Sequence, residues 1–127
     1  MSSFLLDTHT FIWLSENHPN LPSNLRDMID LADTVYVSIA SLWEIAIKLN
    51  TGKLSLQRSY EVIGTELESS DIILLPISFA DTVQIRNLPL HHRDPFDCIL
   101  VAQAINHSLV LISRDPAFDA YPIQRLW

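Results

Sequence analysis

Four carboxylates stand where an acidic metal site would need them: Asp7, Glu44, Asp97 and Asp115. Asp7 closes the apolar run Phe4-Leu5-Leu6, and Asp115 follows a second one, Leu109-Val110-Leu111-Ile112. Glu44 interrupts the apolar stretch from Ile39 to Ile47, and Asp97 lies at the opening of another, Pro95 to Ala102. A carboxylate among apolar neighbours is costly unless a cation or hydrogen bonds compensate it. Several on one short chain point to a shared divalent ion. Hard ions such as Mg²⁺ and Mn²⁺ take carboxylate and water oxygens, so an all-acid set suits them better than zinc.

Each acid also has a plainer reading. Asp7 would serve as the N-cap of a following helix. Glu44 has Lys48 four residues on, in the order that favours a helix ion pair, and Ser41, Glu44 and Lys48 form one polar stripe. Asp94 precedes Pro95 and takes the natural N-cap position, which leaves Asp97 at the third helical residue as capping partner or ligand. Asp115-Pro116 reads equally as a turn, and Asp119 as surface turn chemistry. The five histidines form no ligand set with zinc spacing. His91, His92 and Arg93 read as a solvated loop close enough to Asp97 to touch an anion. The tryptophans and leucine stripes read as core.

The elements that must position these acids alternate in type. Phe4 to Asp7 reads as a strand, Thr8 to Glu16 as a short helix, and a second helix starts at Ser23. A strand over Thr34–Ser38 leads directly into the Glu44 helix, with Ser38 as its cap and Thr51-Gly52 as its end. Arg58 to Ser70 is a helix, Ile72 to Leu75 a buried strand and Ser78 to Asn87 a helix. The Asp97 helix follows, then a strand over Leu109–Ser113, a helical turn over Pro116–Tyr121 and a last strand near Ile123-Gln124-Arg125. Short apolar strands between helices predict an α/β fold with a mostly parallel sheet of four to five strands, covered on both faces. Ligands bind such sheets beyond the carboxyl ends of their strands, where Asp7 and Asp115 fall.

With 127 residues and almost half of them apolar, the chain suits one globular domain, residues 1–127. Cys98 is the only cysteine, which excludes an internal disulfide and a cysteine-based zinc cluster and suits a reducing cytoplasm. No apolar segment approaches the ~20 residues that span a bilayer. The N-terminus lacks the basic start and apolar core of a signal peptide. The net charge is −7; the four site acids account for −4 and leave −7 + 4 = −3 elsewhere. That balance weakens non-specific nucleic-acid binding, which Lys and Arg dominate, and suits a basic protein partner.

The ordered set Leu5-Leu6-Asp7-Thr8-His9, Ser38 to Lys48 with Trp43-Glu44 at its centre, Gly52-Lys53-Leu54, His92-Arg93-Asp94-Pro95-Phe96-Asp97 with Ala102-Gln103-Ala104, and Ser113-Arg114-Asp115 resembles a PIN domain, and most of all the VapC toxins of bacterial type II toxin–antitoxin pairs. The resemblance runs nearly end to end. It implies a cytoplasmic RNA endonuclease dependent on Mg²⁺ or Mn²⁺ that leaves 5′-phosphate and 3′-hydroxyl ends, pairs with an antitoxin protein and forms a homodimer. It matches Asp7, Glu44, Asp97 and Asp115 to the family's acids, with Asp7 and Asp97 as principal metal ligands. Thr8 and Ser113 would then hydrogen-bond the substrate or the acids. Relatives often carry arginine after the third acid, where this chain has Cys98. Two rivals remain at this level. A phosphoacceptor receiver domain would need paired acids after strand one and a late lysine, and this chain has neither. A catalytically silent PIN-like module would bind RNA or protein without turnover.

Overall fold

A computed structural model describes residues 2–89 and 94–127. His91, His92 and Arg93 therefore lie outside the described residues. Strands β1 (Ser3–Leu6), β2 (Thr34–Ser38), β3 (Ile72–Leu75), β4 (Val110–Ile112) and β5 (Arg125–Leu126) form one sheet in the order β3-β2-β1-β4-β5. Every pairing is parallel. The helices are α1 (Thr8–Ser15), α2 (Ser23–Asp30), α3 (Ile39–Asn50), α4 (Tyr60–Ser69), α5 (Phe79–Asn87) and α6 (Pro95–Asn106), and a 3₁₀ turn covers Pro116–Ala120.

The two-residue period of the strands divides the core into two layers. Phe4, Leu6, Val35, Val37 and Ile112 pack with Phe11, Leu25, Ile45 and Ile63 on one face. Leu5 and Leu111 pack with Leu100, Val101, Ala104 and Phe118 on the other. Leu5, Leu6, Val37, Leu111 and Ile112 have no exposed surface, as a sheet covered on both faces requires. From β1 the chain winds outward through β2 and β3, then returns to lay β4 on the opposite side of β1. The winding reverses between β1 and β4, and at such a reversal the loops beyond the strand ends diverge and leave a crevice.

The elements match their sequence signals, with small shifts at the ends, but the strand expected to be buried over Ile72–Leu75 is not: β3 lies at the sheet edge, and Ile73 and Leu74 are exposed. Gly52, at φ +75°, takes the left-handed position that closes α3, and the Lys53 N–H returns to the Lys48 carbonyl at 2.9 Å. β4 is shorter than the apolar run because the Leu109 N–H bonds to the Ala104 carbonyl at the end of α6. The last strand begins at Arg125 rather than Ile123.

The reading of all tryptophans as core fails at Trp43, which is 53% exposed and meets the Phe96 ring edge-on, with centroids 5.0 Å apart. Ile39 and Ile47, one turn to either side, are exposed as well. The cause is the orientation of α3. Ala40 and Ile45 face the sheet, and the polar Ser41 and Glu44 are also turned inward, leaving an apolar stripe for the outside. Trp13 and Trp127 are half-buried and tilted against each other at 5.8 Å.

Candidate active site

The crevice at the ends of β1 and β4 is lined by Asp7, Glu44, Asp97 and Asp115, together with Thr8, His9, Lys48, Asp94 and Phe118. The four acids named from sequence thus share one pocket. Each arrives by a different local device.

Asp7 leaves β1 in extended conformation and caps α1, its Oδ1 accepting the Thr10 N–H at 2.9 Å. Its Oδ2 accepts the Ser113 hydroxyl at 2.6 Å. Asp7 is therefore both a helix cap and a wall of the pocket. Ser113, fully buried after β4, also accepts the Asp115 N–H at 3.1 Å, so one hydroxyl joins the two strand ends. Asp115 caps the 3₁₀ turn, accepting from the Ala117 N–H at 2.9 Å.

Glu44 sits on the inward face of α3 and is 4% exposed. Its Oε1 accepts from the Thr8 hydroxyl at 2.7 Å, and Thr8 Oγ1 lies 3.0 Å from Ser41 Oγ. Its Oε2 accepts from Lys48 Nζ at 2.6 Å. The i, i+4 ion pair foreseen from spacing exists, but it lies at the pocket rather than on an outer face. Among the described residues, Thr8 and Ser113 both turn their hydroxyls to acids, one of the two roles expected of them.

Asp94 caps α6, its Oδ1 accepting from the Phe96 N–H at 2.9 Å and the Asp97 N–H at 3.4 Å. Pro95 at the first helical position and the cap together aim Asp97 into the crevice. Burial pushes the Asp97 carboxyl up to about 7, reinforced by the charges of Asp94, Glu44, Asp7 and Asp115. Burial is the larger cause, and the four neighbouring acids add to it because like charges are crowded around one carboxyl. Lys48 offsets only part of it.

Such a pocket fits a hard divalent cation: its donors are carboxylate oxygens, and its excess charge calls for one. Among the described residues no three acids, histidines or cysteines are grouped tightly enough to hold an ion directly. Mg²⁺ commonly keeps several of its own waters beside one or two carboxylates. Sequence reasoning passed over Lys48 as a pocket cation and assigned Asp94 a capping role only. His9 stands in the Leu5-Leu6-Asp7-Thr8-His9 motif, but the sequence assigns it no role of its own. The i, i+4 spacing was the one signal that pointed to Lys48.

The fold and this acid-lined crevice define a class. The PIN domain family model matches residues 4–124, and the chain belongs to the PIN domain family. No curated protein matches the sequence. Solved structures share the fold. A DNA-bound VapBC from Salmonella typhimurium matches at 20% identity and a TM-score of 0.68, over 99% of this chain and 98% of that one. VapBC2 from Rickettsia felis, bound to a promoter DNA fragment, matches at 15% identity and 0.69, over 98% and 97%. FitAcB from Neisseria gonorrhoeae matches at 24% identity and 0.63, over 98% and 96%.

Proposed function

We propose that this chain is a Mg²⁺- or Mn²⁺-dependent RNA endonuclease and the toxin of a toxin–antitoxin pair, active in the cytoplasm. The observation that carries the reading is a pocket lined by five carboxylates, where burial and the charges of the other four push Asp97 up to about 7. Membership of the PIN family and the likeness in fold to VapBC and FitAcB structures support it.

Asp7 and Asp97 are the principal ligands in this reading, and Glu44 and Asp115 orient the attacking water or bind a second ion. A bound dication supplies positive charge to a phosphodiester oxygen and lowers the pKa of a coordinated water. The chain's own groups keep the carboxylates in place. Ser113 fixes one oxygen of Asp7, Thr8 fixes one oxygen of Glu44, and Lys48 offsets the Glu44 charge.

An open apolar groove between α1 and α4, lined by Phe11, Leu14, Ile63, Leu67 and Ile72, gives an antitoxin chain a place to bury apolar side chains. The exposed Ile39, Trp43 and Ile47 stripe supports pairing of two copies into a homodimer. No helix among the described residues is long and apolar enough to cross a membrane.

The test uses purified protein, a structured RNA and Mn²⁺. Asp7→Asn and Asp97→Asn abolish cleavage while circular dichroism reports an intact fold, and chelation silences the wild type. Full activity in either variant overturns the assignment.

A further inference from the structure

A second, open pocket adjoins the acidic one and shares Asp7, His9 and Asp115 with it. Its other walls are Trp13 and Arg114. The His9 ring is exposed and tilted against Trp13, with centroids 5.7 Å apart. Trp13 is held from other sides, stacked on His18 at 6.1 Å and tilted against Trp127 at 5.8 Å. The aromatic wall is thus fixed before any ligand arrives, which lowers the ordering cost of binding. Arg114 is exposed and, among the described residues, in no ion pair, whereas Lys48, Arg58 and Arg125 each engage a carboxylate.

The charge of the chain makes this pocket matter. With net charge −7, phosphate contacts alone supply little affinity for a polyanion. Base stacking on aromatic rings is the main alternative source, and an arginine plane or charge beside the ring holds the adjoining phosphate. We infer that His9, Trp13 and Arg114 form a nucleotide subsite for single-stranded RNA, which stacks the base next to the scissile phosphate and seats its neighbouring phosphate on Arg114. The inference rests on the nuclease reading and names how that site holds its substrate.

The experiment measures binding separately from turnover. A labelled eight-nucleotide single-stranded RNA is titrated into the Asp97→Asn variant at several salt concentrations, followed by fluorescence anisotropy. Adding His9→Ala weakens binding about tenfold, the loss of one stacked base, and leaves the salt slope unchanged. His9→Tyr keeps a ring and restores most of the affinity. Arg114→Gln weakens binding and lowers the slope of log K against log salt by about 0.7, the value for one single-strand phosphate contact. Arg86→Gln, the same charge change on an exposed face of α5, has no effect beyond the error.

Absence of RNA binding, or unchanged affinity in both the His9→Ala and Arg114→Gln backgrounds, overturns the subsite. So does a salt slope that falls equally in both. Cleavage by the chain with Asp97 intact is assayed in parallel. If it cleaves RNA while these variants bind normally, the subsite fails and the nuclease reading stands. If it binds RNA as described but never cleaves, the nuclease reading fails and the subsite stands.

Discussion

The Asp97 carboxyl gives the sharpest test of the acidic pocket, because its consequence is a stability that depends on pH in an unusual direction. The group titrates near 3.8 when unperturbed and at about 7 in the folded chain. The folded state therefore holds the proton more tightly than the unfolded one. Its contribution to stability is complete below pH 3.8 and is lost as pH rises through 7. A displacement of that size corresponds to about 4 kcal/mol at full ionisation. Asp97 is partly exposed, and solvent screening reduces the figure to about 2 kcal/mol. Asparagine keeps the shape and removes the charge. In the presence of chelator, Asp97→Asn should gain about 2 kcal/mol at pH 8, or a Tm higher by ~8 °C, and less than about 1 kcal/mol at pH 5. Urea denaturation of both proteins at the two pH values measures the difference. A variant no more stable than wild type at pH 8, or equally favoured at both, would show that neither burial nor the neighbouring carboxylates disfavour the Asp97 charge. With Mn²⁺ added, the order should reverse, since the ion stabilises only the chain that binds it.

Other outcomes follow from the same contacts. Lys48→Met leaves the nearly buried Glu44 without its cation and should cost about 1–2 kcal/mol, below the usual penalty for a buried pair because Lys48 is partly exposed. The same variant should take up additional Mn²⁺ in electron paramagnetic resonance titration, and unchanged stoichiometry would show that the ammonium does not occupy a cation position. Ser113→Ala removes the 2.6 Å bond to Asp7 and should weaken Mn²⁺ binding about tenfold by calorimetry. Asp81, fully buried, accepts from the Ser78 N–H, Asn106 and Gln103, so Asp81→Ala should destabilise the α5–α6 pair by about 3 kcal/mol in urea unfolding without changing metal affinity.

The parallel sheet was legible because its strands are short apolar runs set between capped helices. Asp7, Ser38 and Asp94 cap the helices that their positions foretold, and Asp115, expected as a turn acid or ligand, caps the 3₁₀ turn. The meeting of Asp7 with Asp115 was legible too, as both end strands of one parallel sheet. Trp43 was misread because helical periodicity reports which residues share a face, and not which face turns inward. On α3 the polar stripe points to the pocket, so the usual assignment inverts. The sequence assigns His9 no role of its own because a single histidine has no spacing signal; its role depends on Trp13 one turn on and Arg114 from the far end of the chain. Lys48 pairs with Glu44 as the spacing indicates, but the burial of Glu44 at the pocket is a tertiary fact that i, i+4 spacing does not contain.

The Ser113 hydroxyl that grips Asp7 reaches across 106 positions of sequence. In synthesis Asp7 and β1 precede Ser113 and β4 by that whole separation. Until β4 slides in beside β1, the first acid lacks one of its two anchors and the crevice has no second wall. The pocket is therefore complete only once the later-made strand β4 has joined the sheet beside β1.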